Sequence, residues 1–435
     1  MSTVAEVTLW GRTIGAVALA DGAATATFEY DPDFARSGIE VAPLMMPLST
    51  RLYSFPNLAP ATFHGLPGLL ADSIPDRFGN ALIDAWLVRQ GRLPGSFNAI
   101  ERLCYTGNRG MGALAFVPAR GPVSDESSPV EVAHLVALAS TVLSDRTDLH
   151  ASFREEEKGM ALQEILQVGT SAGGARAKAV IAWNRETSEV RSGQLEAGDG
   201  FEQWLMKFDG VSRNGDRGLE DPQGYGAIEY AYYRMAIDAG ITMSSCRLFE
   251  ENGRRHFMTK RFDRTDGGRR LHMQSFGAMA HYDFNEAGAY SYEQALQVIR
   301  QLGMPMGTIE QMFRRMVFNI VARNQDDHVK NIAFLMDRSG SWSLSPAFDV
   351  TYSYQPHGAW TSLHQMTLNG KRDGFNLADF AACARGASMK RGLSMAIVEE
   401  VQSIVARWPD YAAEAGVLQE HRKRIEATLR LAPFS

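Results

Sequence analysis

The segment from Thr308 to Ser353 constrains the fold more than any other part of the sequence. Its first half predicts an amphipathic helix, because apolar side chains recur there at helical spacing and would form one buried face. These side chains are Ile309, Met312, Met316, Val317, Ile320 and Val321. Thr308 is predicted to be the N-cap of this helix, with Gln311 completing a capping box. The pattern ends at Asn324, so the polar run 324–328 is predicted to leave the helix as a loop.

The second half of the segment predicts a β-hairpin. Residues 332–336 are apolar and typical of a strand, residues 337–340 are typical of a turn, and residues 341–345 are predicted to form the second strand. Because a hairpin brings its two ends together, Asn331 before it and Asp349 after it are expected to be neighbours. Asp326 lies only five residues before Asn331 and can reach the same place.

Two carboxylates and an amide oxygen at the mouth of a hairpin favour an all-oxygen site for Mg²⁺ over a zinc site. The spacing is also that of a kinase catalytic centre. Asp326 is then the catalytic residue that orients and deprotonates an acceptor hydroxyl, while Asn331 and Asp349 hold the metal. Each residue alone is more typical of an ordinary turn, but the three together favour the metal site. His328 is predicted to support the catalytic loop through a structural hydrogen bond.

A loop rich in small residues at 169–178 could bind phosphate. Glycines such as Gly173 and Gly174 allow backbone N–H groups to approach an anion, and Ser171 and Lys178 add polar groups. The loop matches neither GxxxxGK[ST] nor GxGxxG, so an ordinary strand-entry turn is an equal alternative.

Lys207 is the second candidate for contact with a nucleotide. It lies in an apolar strand, 203–208, whose alternation places Trp204, Met206 and Phe208 on the opposite face. Burying a lysine is costly without an anion, and Glu229 on the following helix could pair with it, as in protein kinases. A lysine that extends to solvent, with a solvent-exposed Glu229, is the alternative.

The chain as a whole predicts an α+β protein with three regions. Residues 1–117 form a small mixed β/α domain, 118–131 a linker, 132–265 a strand-rich lobe and 266–435 a helical lobe. Helices are predicted at 130–144, 225–239, 375–384 and 393–408.

Composition excludes several classes of function. The net charge of −6 argues against a large DNA-binding surface on this chain alone. The three cysteines are far apart, so a zinc site or a disulfide framework is not expected, and thiols in a reducing cytoplasm are favoured. Apolar stretches fall far short of the roughly 20 residues that span a bilayer. The first ten residues do not resemble a secretory signal, so a cytoplasmic location without a membrane partner is predicted.

Several of these motifs together resemble the HipA kinases, the toxins of HipA–HipB toxin–antitoxin modules. The resemblance covers nearly the whole chain, and 271–284 is closer to the HipH-like branch than to the best-known HipA. One departure is Arg176, where the family commonly has glutamine. The matching segments are 66–79 in the N-terminal subdomain, the loop 171–178, the hinge 259–264, the patch 369–372, and the catalytic and metal-binding stretches 326–331 and 344–350.

The resemblance implies a protein-kinase-like bilobal HipA fold that uses ATP and Mg²⁺. Ser171 would be an autophosphorylation site, and ATP would be bound by Lys207, Lys260, Phe262, Gly173, Gly174, Lys178 and His328. A small helix-turn-helix antitoxin of the HipB type would be the partner and would supply DNA binding. The substrate would be a serine of a cytoplasmic protein, in this family often an aminoacyl-tRNA synthetase, whose phosphorylation stops translation and growth.

Two other functions fit the sequence. One is a catalytically quiet ATP-binding co-repressor that acts with a DNA-binding antitoxin, although the intact set of Asp326, Asn331, Asp349 and Lys207 argues against it. The other is a kinase for a small molecule or lipid, which the N-terminal subdomain disfavours.

Overall fold

A computed structural model describes residues 2–121, 129–144, 176–194, 197–211, 224–265, 267–432 and 434. The protein is α+β, with antiparallel sheets together with helices. No helix in these ranges is long and apolar enough to cross a membrane.

The N-terminal region is a four-stranded antiparallel sheet with short helices packed on it. The strands follow the order β3-β2-β1-β4, and the tight turn between β1 and β2 places Trp10 and Gly11 in the left-handed region. This confirms the predicted antiparallel sheet. The elements are β1 (Thr3–Leu9), β2 (Arg12–Leu19), β3 (Thr27–Tyr30), α1 (Pro60–Phe63), α2 (Gly68–Ala71), α3 (Arg77–Arg89), α4 (Ala99–Thr106) and β4 (Leu114–Val117).

The middle region is a five-stranded antiparallel sheet in the order β6-β5-β7-β9-β8. The predicted alternation in β7 is confirmed, because Trp204, Met206 and Phe208 are buried in one apolar cluster, which also contains side chains of α3 and α5. The elements are α5 (Val132–Ser144), β5 (Lys178–Asn184), β6 (Val190–Ser192), β7 (Phe201–Lys207), α6 (Tyr225–Asp238), β8 (Cys246–Glu251) and β9 (Arg254–Lys260).

The C-terminal region is mainly helical and contains the largest apolar core, together with a three-stranded sheet in the order β10-β11-β12. The hairpin predicted after Asn331 is formed by β11 and β12. The elements are β10 (His272–Ser275), α7 (Phe276–Ala280), α8 (Tyr292–Gln301), α9 (Met306–Val321), β11 (Ala333–Met336), β12 (Trp342–Leu344), α10 (Leu377–Gly386), α11 (Leu393–Val405), α12 (Trp408–Glu414) and α13 (Gln419–Glu426).

Two of the helix boundaries that differ from the sequence prediction have a clear physical reason. Helix α9 begins at Met306 after Pro305, because the N–H of Thr308 already donates to the Pro305 carbonyl at 2.9 Å. Thr308 is therefore inside the helix, and the prediction that it is the N-cap was wrong. The predicted helix 393–408 is two helices, because Pro409 at the start of α12 lacks an N–H and cannot continue α11.

The N-terminal region is tied to the helical region by buried polar contacts. The N–H of Gly68 donates to His281 Nε2 at 3.0 Å. Asp72 accepts hydrogen bonds from Ser275, from the backbone N–H at 2.6 Å and from the hydroxyl at 2.8 Å. These contacts join the N-terminal region to both ends of helix α7, because Ser275 is its N-cap and His281 its C-cap.

Candidate active site

The loop after α9 presents Asp326 and Asn331 on a short, bonded turn. Helix α9 ends because Arg323 adopts a left-handed conformation, with φ of 57°. A 3₁₀ turn then covers Val329–Asn331. The side-chain Nδ2–H of Asn331 donates to the Asp326 carbonyl at 2.8 Å. Because the amide nitrogen makes this bond, the oxygen is the end of the Asn331 side chain suited to a cation.

The hairpin places Asp349 beside this loop, as the sequence predicts. Ser345 returns to β11 through an N–H···O bond to Ala333 of 2.9 Å, and the chain then turns through Asp349, whose φ is 51°. Asn331, His328 and Asp349 line one small cavity. Asp326 is not among the residues that line this cavity, but it is close enough for the Asp349 charge to act on it.

Lys207 connects the two lobes at this point. Its Nζ is 2.6 Å from Glu229 Oε1 and also forms an ion pair with Asp349 Oδ1. Burial alone would lower the pKa of Lys207, but the charges of Asp349 and Glu229 outweigh it and raise that pKa above its ordinary value. Burial raises the pKa of Asp349, but Lys207 and Lys178 outweigh it and lower the pKa to about 2. The site therefore holds a charged lysine and an ionised aspartate.

Lys178 lies directly opposite Lys207 across the β5–β7 pair. It is buried, with its Nζ 3.5 Å from Asp76 Oδ2. Asp76 is the N-cap of α3 and also accepts from the Gly79 N–H at 2.8 Å. Burial lowers the pKa of Lys178, while the charges of Asp76 and Asp349 oppose that change. The remaining predicted loop residues, Ser171, Gly173 and Gly174, lie outside the described residues.

The predicted hinge residues border the site in different ways. The ring of Phe262 packs against Phe348, with centroids 5.5 Å apart, and Phe348 precedes Asp349. Lys260 instead pairs with Glu202, with Nζ 2.8 Å from Oε1. Phe262 is thus brought next to the end of the hairpin that carries Asp349, and the ammonium of Lys260 is engaged where β9 ends beside β7.

His328 and Trp360 both approach the carboxylate of Asp326. His328 Nε2 is 3.9 Å from Asp326 Oδ1, and the Nε1–H of Trp360 donates to the same oxygen at 2.6 Å. Burial raises the pKa of Asp326 above its ordinary value, and the His328 charge and the Trp360 hydrogen bond oppose this only in part. Sequence reasoning missed Trp360, because 34 residues separate it from Asp326 and no local pattern links the two.

The neighbouring Asp327 was also missed; it lines the same cavity, but its carboxylate is engaged by hydrogen bonds within the protein. It is buried and accepts from the Tyr292 hydroxyl at 2.5 Å and from the Gln365 N–H at 2.8 Å. His364 Nδ1 lies 2.8 Å from Asp327 Oδ2, the oxygen that also accepts from Tyr292. Asp327 therefore anchors the loop, while the side chain of Asp326 stays 35% exposed.

The donor set fits Mg²⁺ bound with a phosphate ligand. Among the described residues, no group of three or more His, Cys, Asp or Glu side chains could hold a metal ion. Asn331 and Asp349 offer two hard oxygen ligands, and Mg²⁺ typically takes one or two carboxylates together with substrate phosphates.

Two family models match the sequence. The HipA N-terminal domain matches residues 5–117, and the HipA-like C-terminal domain matches residues 170–408, more than half of the chain. The chain belongs to the HipA family. Both domains of the HipA architecture are thus present in the expected order.

A search of solved structures supports the HipA fold. The HipA protein in a complex with HipB and operator DNA from Shewanella oneidensis MR-1 superposes with a TM-score of 0.68 at 17% identity, covering 98% of this chain and 96% of that one. The Helicobacter pylori proinflammatory kinase CtkA matches at a TM-score of 0.30 and 12% identity, over 52% of this chain and 92% of its own, and this score is too low to bear on the fold. The comparison with curated proteins gave no match.

Proposed function

We propose that this HipA protein is an ATP-dependent serine/threonine protein kinase and the toxin of a toxin–antitoxin pair. The observation that carries the proposal is the largely buried Lys207, which joins Glu229 on α6 and Asp349 after the hairpin. A strand lysine paired with a helix glutamate beside a metal-binding aspartate is the arrangement that protein kinases use to place ATP phosphates.

Each residue has a distinct role in the proposed transfer. Lys207 and Lys178 would stabilise the phosphate charges, and Asn331 and Asp349 would hold Mg²⁺, which when bound neutralises those charges further. Asp326 would accept the proton of the acceptor hydroxyl. The hydroxyl oxygen would bond to the γ-phosphorus of ATP as the bond from that phosphorus to the ADP oxygen breaks.

The remaining ATP contacts are proposed from the family. Phe262 and the backbone near Lys260 would border the adenine, and His328 would support the loop at the phosphate end. Gly173 and Gly174 would cover the phosphates, and Ser171 would be the autophosphorylated residue.

The partners are proposed from charge and from the family. The net charge of −6 disfavours DNA binding by this chain alone. A HipB-type helix-turn-helix antitoxin would therefore supply the DNA contact, as in the complex described for the Shewanella protein. The substrate would be a serine of a cytoplasmic protein, with aminoacyl-tRNA synthetases as the first candidates, and its phosphorylation would inhibit translation and growth.

Purified protein with Mg²⁺ and γ-labelled ATP tests the proposal. We expect label on the protein itself and on one dominant protein of a cell lysate, and no transfer by Asp326→Asn. Asp337→Asn is the matched control, because Asp337 makes its hydrogen bonds within the exposed hairpin turn. Nucleotide binding without any transfer by the unaltered protein would refute the kinase and favour the co-repressor.

A further inference from the structure

The indole of Trp360 makes a direct hydrogen bond to the carboxylate assigned as the base. Its Nε1–H donates to Asp326 Oδ1 at 2.6 Å. An indole N–H can only donate, so it cannot compete with the base for a proton. The bond engages one carboxylate oxygen, and the second oxygen is the one suited to the acceptor hydroxyl.

The segment that carries Trp360 is itself held firmly. The Nε2–H₂ group of the buried Gln365 donates to the Trp360 carbonyl at 2.5 Å and to the Leu363 carbonyl at 3.0 Å. The backbone N–H of Gln365 donates to Asp327 at 2.8 Å. Residues 360–365, called here the clamp segment, thus contact both consecutive aspartates of the catalytic loop.

The hydrogen-bond directions in the clamp segment are fixed by Arg430. Its guanidinium lies 2.9 Å from His364 Nε2, and a guanidinium has donors only. His364 Nε2 therefore accepts, and Nδ1 carries the proton that Asp327 Oδ2 accepts at 2.8 Å. This holds the anchor of the loop in a single arrangement.

We infer that Trp360 is a positioning residue that fixes the carboxylate of Asp326 for proton transfer. The Asp326 side chain is 35% exposed, so packing alone does not hold it in one rotamer. The hydrogen bond from the Trp360 indole to the charged carboxylate holds Asp326 in one rotamer. Rates of proton transfer depend steeply on the position of the base. The inference rests on the proposed kinase function, because it assigns a role within the same reaction.

Trp360→Phe tests this, because it keeps an aromatic ring and removes the donor. We expect kcat to fall roughly 10- to 100-fold, the range for a lost hydrogen bond to a charged group. The affinity for ATP and the KM for the acceptor should stay within about twofold of the wild-type values, since the bond orients the base only. Trp183→Phe is the matched control with unchanged kcat, because the Trp183 N–H is buried without a hydrogen-bond partner.

An NMR measurement tests the contact without any activity. The indole N–H resonance of Trp360, assigned by its loss in Trp360→Phe, should move in Asp326→Ala, while that of Trp183 stays in place. An unmoved Trp360 resonance overturns the inference, and so does an active wild type whose Trp360→Phe variant keeps its kcat. A wild-type protein that transfers no phosphate overturns the proposed function itself, and the inference falls with it.

Discussion

Replacing Gly68 by alanine tests how tightly the N-terminal region is fitted to the helical region. Gly68 opens α2. A Cβ at this position would be 2.3 Å from the carbonyl oxygen of Ala278 and 2.6 Å from His281 Cδ2. The first of these atoms belongs to the backbone, so the contact cannot be relieved by a side-chain rotation.

The expected cost follows from these contacts. Overpacking of a fitted interior costs about 1–3 kcal/mol, and loss of the Gly68–His281 hydrogen bond adds about 1 kcal/mol. The better helix propensity of alanine returns at most about 1 kcal/mol. Gly68→Ala should therefore lower the free energy of unfolding by about 1–3 kcal/mol.

Urea unfolding followed by far-UV circular dichroism measures this difference. Gly307→Ala is the matched control, because Gly307 lies in the first turn of α9 and a Cβ there meets nothing within 4 Å. It should be neutral or more stable by up to about 1 kcal/mol. If Gly68→Ala is as stable as Gly307→Ala, the close packing of Gly68 against Ala278 and His281 is refuted.

Two further predictions concern buried charge. Lys207→Met should abolish phosphate transfer and lower the free energy of unfolding by about 3–5 kcal/mol, because it leaves Glu229 buried without its cation. Urea midpoints measure this loss of stability, and the double variant Lys207→Met/Glu229→Leu should recover part of it. Equal midpoints for Lys207→Met and the wild type would contradict the ion pair between Lys207 and Glu229. Burial lowers the pKa of His272 to about 4, so the folded state keeps it neutral while the unfolded chain takes up a proton below about 6.5. The contribution of neutral His272 to the free energy of unfolding is therefore complete above the pKa of the unfolded chain. It is lost as the pH falls, by about 2 kcal/mol between pH 7 and pH 5. Urea midpoints across that range should depend less on pH in His272→Phe, and an identical dependence would exclude this histidine as the cause.

Local patterns carried much of the prediction at the candidate site. The helix, loop and hairpin lie within one continuous segment, so turn chemistry and periodicity were enough to bring Asn331 and Asp349 to one cavity. The pairing of Lys207 with Glu229 needed only a strand followed by a helix that packs on the same sheet. Burial of a lysine in an apolar strand gave the physical reason to look for its partner.

Contacts between distant segments were not predictable in this way. Trp360 and His364 reach the catalytic loop from an irregular segment, where no periodicity sets the direction of a side chain. The N-cap prediction at Thr308 failed because a suitable residue type was taken without weighing Pro305, which starts the helix one turn earlier. Residue type alone does not decide between two nearby helix starts.

The contact between Asp76 and Lys178 has a consequence for how this protein could evolve. Asp76 belongs to the segment matched by the HipA N-terminal domain and Lys178 to the one matched by the C-terminal domain. Since the buried charge of Lys178 is compensated by the partly buried Asp76, a change on one side requires a matching change on the other. We expect the two domains to be inherited together, and a chimaera that joins the N-terminal domain of one relative to the catalytic part of another to need both residues from compatible parents.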